Sequence, residues 1–124
     1  MNVFFMKKSM TTKIYHNSRC SKSRATLAIL EQNNVDFEVV NYLQEILSES
    51  ELRSLLSDLG INARDLIRKG EQAYKDLNLV DKSKSEYDLI SAMIKFPILI
   101  ERPIVKTSKG AAIGRPPENV LSIL

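Results

Sequence analysis

Lys13-Ile14-Tyr15-His16-Asn17-Ser18-Arg19-Cys20-Ser21-Lys22-Ser23-Arg24 opens the stretch that decides the fold. Residues 13–16 read as a short strand and residues 17–19 as a polar turn. Residues 21–32 read as a helix, with Ala25, Ala28 and Ile29 on one face and Leu27 and Leu30 beside it. Asn33-Asn34 breaks that helix, and residues 37–42 form a second run rich in strand formers. Strand, helix, strand in this order is a βαβ unit, so the two strands are expected to be parallel.

Downstream the pattern turns helical. Ser48-Glu49-Ser50-Glu51 has the form of a capping box. Leu52, Leu55, Leu56 and Leu59 follow at i, i+3, i+4 and i+7, and Gly60 closes the helix. Asn62 is expected to cap a short helix carrying Arg64, Leu66, Ile67 and Arg68, and residues 71–77 to form another. Ser85-Glu86-Tyr87-Asp88 resembles a second capping box ahead of Leu89, Ile90, Met93 and Ile94, with Phe96-Pro97 as the stop. The end returns to β: the apolar run Ile98-Leu99-Ile100, then residues 104–107 and 111–113 around the turn Ser108-Lys109-Gly110. Pro116-Pro117 opens a last helix holding Val120, Leu121 and Leu124. The order is α/β: a thioredoxin-like fold with a mixed sheet and a helical insertion between its βαβ and ββα halves.

The 124 residues, 44% of them hydrophobic, fit one domain with a modest core. A net charge of +3 favours an anionic ligand. The basic residues are scattered and no aromatics interleave with them, so nucleic acid is not an expected partner. No apolar run approaches the ~20 residues that span a bilayer, so no membrane association is expected. Val3-Phe4-Phe5-Met6 precedes Lys7 and Lys8, the reverse of a signal peptide. Residues 1–11 therefore read as a disordered extension and residues 12–124 as a single domain. The single cysteine, Cys20, permits no internal disulfide and points to a reducing, cytoplasmic compartment. Only Cys20 and His16 could supply soft ligands, so no metal site is expected.

Cys20 falls between a strand–turn and a helix. The unpaired N–H groups and positive macrodipole of a helix start favour a thiolate and bind oxyanions. Arg19, Lys22 and Arg24 add positive charge. A lone cysteine is otherwise a small buried hydrophobe, but Ser18, Arg19, Ser21 and Lys22 are all polar, so an exposed, functional thiol is expected. His16, four residues earlier, reads either as an imidazolium beside the thiolate or as an ordinary strand-end histidine. Ser23 makes the motif C-x-x-S, so a resolving thiol must come from another molecule. Its hydroxyl either donates to the sulfur or merely sits in the first helical turn. Only three residues separate Cys20 from Arg24, against five in the phosphatase-like loop, and no Gly-rich phosphate loop is present.

Residues 16–24 resemble the active-site segment of the glutaredoxin-coupled, glutathione-dependent arsenate reductases. The resemblance continues at Gly60-Ile61-Asn62-Ala63-Arg64-Asp65-Leu66-Ile67-Arg68-Lys69 and at Pro97-Ile98-Leu99-Ile100-Glu101-Arg102-Pro103-Ile104-Val105. A fourth block is Ile113-Gly114-Arg115-Pro116-Pro117-Glu118. Ser21-Lys22-Ser23 stands where some members carry Gly-Thr-Ser. The resemblance implies a thioredoxin-like fold, Cys20 as nucleophile, and Arg68, Arg102 and Arg115 as arsenate ligands. His16, Ser23, Arg24 and Pro103 would act in support, with Arg102-Pro103 as the cis-proline turn. It also implies reduction of arsenate to arsenite with glutathione as co-substrate, glutaredoxin as partner and no bound cofactor. Two relatives of this chemistry remain alternatives: a redox-responsive Spx-type regulator that binds RNA polymerase, and a generic glutathione-dependent thiol oxidoreductase.

Overall fold

A computed structural model describes residues 12–124, and the expectation for residues 1–11 lies outside them. Two compact units make up the chain. The first joins residues 12–41 to Arg102–Leu124 and holds β1 (Thr12–Tyr15), α1 (Ser21–Gln32), β2 (Phe37–Val40), β3 (Ile104–Thr107) and β4 (Gly110–Ile113). Its sheet has the order β2-β1-β3-β4. β1 and β2 are parallel, as a βαβ crossover requires; β1 with β3, and β3 with β4, are antiparallel. Ile14 sits opposite both Val39 and Val105, which centres it in the sheet. Ile14, Val105, Leu30 and Val120 form a fully buried core, with Leu27, Ile29 and Phe37 packed against it. This mixed sheet with helices is thioredoxin-like.

Four local readings need correction in this unit and its neighbour. The buried face of α1 is Ser23, Thr26 and Leu30, while Ala25 is exposed. Those positions recur at i, i+3 and i+7, a helical stripe that runs through Ser23 and Thr26 rather than through Ala25. β2 ends at Val40, two residues short. The closing segment Pro117–Ile123 is 3₁₀ rather than α, and Leu121 is exposed. The run 98–100 is not a strand: Pro97–Leu99 is a 3₁₀ turn closed by Leu99 and Ile100 N–H bonds to Phe96 and Pro97 carbonyls. Only Ile100 bridges, to Ile67.

The second unit, Tyr42–Glu101, holds α2 (Glu49–Leu59), α3 (Ala63–Leu66), α4 (Gln72–Asp76) and α5 (Glu86–Lys95). Ser48 Oγ accepts from Glu51 N–H, and reciprocal capping boxes join Asn62 to Asp65 and Ser85 to Asp88. Leu52, Leu55 and Leu56 of α2 are buried, as are Leu89, Ile90, Ala92 and Met93 of α5. α3 is a single turn, so Ile67 and Arg68 lie beyond it rather than on it. No helix among the described residues is long and apolar enough to cross a membrane.

Gly60 ends α2 with φ +70°, and a side chain there would meet nothing within 4 Å. Gly60→Ala therefore costs only left-handed backbone strain, about 1 kcal/mol. Urea unfolding should show that loss as a lower midpoint with an unchanged slope.

Candidate active site

The loop after β1 is folded by its own polar groups. His16 N–H bonds Val40 O at 2.9 Å, which keeps the strand end tied to its parallel neighbour. Asn17 then serves twice: its carbonyl accepts Cys20 N–H at 3.0 Å and its Oδ1 accepts Arg19 N–H at 3.0 Å, an Asx turn. Arg24 Nη1 donates back to Ser18 O at 2.9 Å and clamps the turn from the helix side. The result sets Cys20 as the N-cap of α1, with extended φ and ψ and its carbonyl accepting Arg24 N–H at 3.1 Å. At this helix start the main-chain N–H groups of Lys22 and Ser23 favour the thiolate form of Cys20.

The opposite side of the sulfur is built by the β3–β4 hairpin. Its register pairs Ile104 with Ile113, so the residues just outside, Pro103 and Gly114, meet, and Gly114 N–H donates to Pro103 O at 2.9 Å. One step further out are Arg102 and Arg115. Arg115 Nε donates to Arg102 O at 2.7 Å and its Nη2 to Cys20 Sγ at 3.3 Å. The Arg102 side chain hydrogen-bonds the same sulfur. Both Arg102-Pro103 and Arg115-Pro116 are cis, the first as the resemblance implies and the second in addition.

This arrangement corrects the expectation of an exposed thiol: Cys20 is 9% exposed, although Ser18, Arg19, Ser21 and Lys22 around it are exposed. Polar sequence neighbours point outward while the sulfur turns in beneath the arginines of the hairpin. Burial pushes the thiol pKa up. The Ser23 and Lys22 N–H groups, the Arg102 hydrogen bond and the Arg115 charge outweigh it, and Cys20 lies below the ordinary thiol value.

His16 is corrected as well. It is buried, with Nδ1 lacking a hydrogen-bond partner, and burial followed by the charge of Arg24 lowers its pKa. Both effects disfavour the imidazolium form, which weighs against His16 as a cation beside the thiolate. Ser23 Oγ accepts from Asn17 N–H at 3.3 Å, and it is the main-chain N–H of Ser23 that serves the sulfur.

The first unit thus gathers Cys20, Arg102 and Arg115, with Pro103, Ser23, His16 and Arg24 in the surrounding loop and turn. Arg68 belongs to the second unit. There its N–H donates to Leu99 O at 2.7 Å, and its guanidinium lies 3.7 Å from Glu71 and 3.9 Å from Glu101 carboxylate oxygens. Its Nη1 is buried without a hydrogen-bond partner. Asn17, Thr26 and Gly114 build the site and escape a search for chemistry-bearing residues. Only Asn17 had a legible signal, the Asx-turn preference of asparagine beside Ser and Arg. Among the described residues no three His, Cys, Asp or Glu side chains gather to hold a metal ion.

A thioredoxin-like sheet with a lone thiol at the head of its first helix, faced by an X-Pro turn and guanidiniums, defines a single-thiol member of that superfamily. Residues 15–123 match the model of the ArsC family, and the chain belongs to that family. It is 56% identical over 113 residues to the uncharacterized protein YfgD of Escherichia coli K12, covering 90% of this chain and 95% of that one. It is 46% identical over 116 residues to an arsenate reductase of Haemophilus influenzae, covering 93% and 100%. The solved structure of an arsenate reductase from Vibrio cholerae superposes with a TM-score of 0.89 at 48% identity, covering 93% of this chain and 98% of the other.

Proposed function

We propose that the protein is an arsenate reductase that works through a Cys20 thioarsenate adduct, with glutathione and glutaredoxin as electron donors. The observation that carries this reading is the sulfur of Cys20 under two guanidiniums, Arg115 Nη2 at 3.3 Å and Arg102 by a side-chain hydrogen bond. Guanidinium forks suit tetrahedral oxyanions, and they stabilise charge as the nucleophile attacks. The relatives that bear the name arsenate reductase support the choice of anion. The role of Arg68 as a third ligand rests on the family correspondence, and that of Pro103 on its place in the Arg102 turn.

In the proposed cycle the Cys20 thiolate attacks arsenic and a protonated oxygen leaves as water. A glutathione thiolate then bonds the Cys20 sulfur. The pair of electrons of the sulfur–arsenic bond passes to arsenic, which leaves as arsenite. The two thiols have supplied the two electrons and are left as a Cys20–glutathione disulfide. A glutaredoxin thiolate takes the glutathione and frees Cys20. Because Cys20 is the only cysteine, no internal disulfide can substitute for these external thiols.

Arsenite production assayed with glutathione and glutaredoxin, each omitted in turn, tests the reading. Turnover is expected only with both, and mass spectrometry of protein treated with arsenate and glutathione alone should show one glutathione per chain. Turnover without added thiol, or a Cys20–Cys20 dimer as the dominant product, would overturn the cycle and favour a redox-switch protein. The cations Arg19, Lys22 and Arg24 around the thiol favour anionic glutathione over a second copy of the same loop.

A further inference from the structure

Gly114 is not a glycine for conformational reasons: unlike Gly60 and Gly110 it does not have a positive φ. What it lacks is room. A Cβ at 114 would run into Thr26 Oγ1, lie 2.8 Å from Pro103 Cγ and 3.3 Å from Thr26 Cγ2. Neither neighbour can yield. Thr26 is fully buried on α1, where close packing resists a change between the two rotamers open to a helical threonine. Pro103 is a closed ring whose carbonyl already accepts Gly114 N–H at 2.9 Å. Gly114 therefore lets the end of β4 lie flush on both the helix that carries Cys20 and the turn that carries Arg102. The next residue along the chain is Arg115, whose bonds to Arg102 O and Cys20 Sγ are 2.7 and 3.3 Å long. A few tenths of an ångström of lift at 114 would be passed to both.

We infer that Gly114 is a positioning residue of the anion site: the missing side chain, seated between Thr26 and Pro103, sets the distance of Arg115 and Arg102 from the Cys20 sulfur. This rests on the reading of those two arginines as anion ligands. Thr26 is the complementary half of the device. Its Oγ1 is buried without a hydrogen-bond partner, so its removal forfeits no bond. Thr26→Ala leaves space where the new methyl of Gly114→Ala needs it, apart from the contact with Pro103.

The test compares the wild type, Gly114→Ala, Thr26→Ala and the double variant. Two readouts are used: the pH dependence of Cys20 alkylation by iodoacetamide, and kcat and KM for arsenate. Gly114→Ala should move the alkylation midpoint up towards the ordinary thiol value of ~8.5. It should also raise KM about tenfold, since a small misplacement of binding groups is costly. Thr26→Ala, which removes one wall of the seat, should shift both readouts less than Gly114→Ala does, and the double variant should recover most of the Gly114→Ala shifts. A Gly114→Ala midpoint equal to wild type, or a double variant no better than Gly114→Ala, would overturn the inference. If Gly114→Ala does not fold, the double variant decides: it should fold and titrate close to Thr26→Ala, and a double variant that also fails to fold, or whose midpoint lies at the ordinary thiol value, would overturn the inference. Alkylation involves no arsenate, so a wild type inactive on arsenate would defeat the functional reading while leaving this comparison intact.

Discussion

Cys20→Ser should abolish arsenate-dependent turnover, by on the order of 10⁶-fold, the scale seen when a covalent catalyst loses its nucleophile. Serine fills nearly the same volume under Arg115 and Arg102 and faces the same Ser23 and Lys22 N–H groups. What it lacks is an ionised, polarizable nucleophile at neutral pH and the ability to take part in a disulfide. The stability change should stay within about 1 kcal/mol, since no cavity opens and no buried polar group loses a partner. Activity, urea unfolding and mass spectrometry on one preparation separate these effects: no arsenite, a midpoint little changed at acid pH, where Cys20 is protonated in both folded and unfolded chains, and no glutathione adduct. Retention of more than a tenth of wild-type turnover would show that the chemistry does not pass through the sulfur.

Much of the frame that holds this sulfur could be read from local signals. The βαβ order and the turn at residues 108–110 define the sheet, because parallel pairing across a helix and antiparallel pairing across a tight turn leave few alternatives. Ser85 and Asp88 announced α5 by chemistry that acts within one turn of chain. The same local logic failed where tertiary packing decides. Residues 98–100 are apolar and look like a strand, but Pro97 lacks a donor and the chain tightens into a 3₁₀ turn. Ala25 and Ser23 differ by two positions on a helix, and only the packing around it, with Asn17 N–H on Ser23 Oγ, settles which one is covered.

The site divides along the same line. Cys20 was legible because a helix start is a local event with a known effect on thiols. Its burial was not, since the groups that cover it are arginines more than eighty residues further along the chain. The arginines were legible only through resemblance: Arg102 and Arg115 differ from other exposed-looking arginines only in preceding prolines. The charge state of His16 was also out of reach. It depends on burial and on Arg24, neither of which follows from its place at a strand end.

Replacing Arg115 dissects the two tasks assigned to it. Arg115→Ala removes a donor to Cys20 Sγ, a charge near the thiolate and the Nε bond to Arg102 O. Turnover should fall about 10²–10³-fold, the usual loss for one preorganised donor to a developing oxyanion. The alkylation midpoint of Cys20 should rise. Arg115→Lys keeps the charge but not the fork that reaches the sulfur and Arg102 O together, so its midpoint should stay near wild type while turnover still falls. Stability supplies an independent reading of the same interaction. A thiol whose folded pKa is depressed contributes stability that is fully present above its unfolded value of ~8.5 and is lost as pH falls through the folded pKa. Wild-type stability should therefore rise with pH across that interval, and Arg115→Ala should rise less. Urea unfolding at pH values on either side of the interval measures the difference. Parallel curves for the two proteins, with an unmoved alkylation midpoint, would mean that Arg115 does not hold the thiolate.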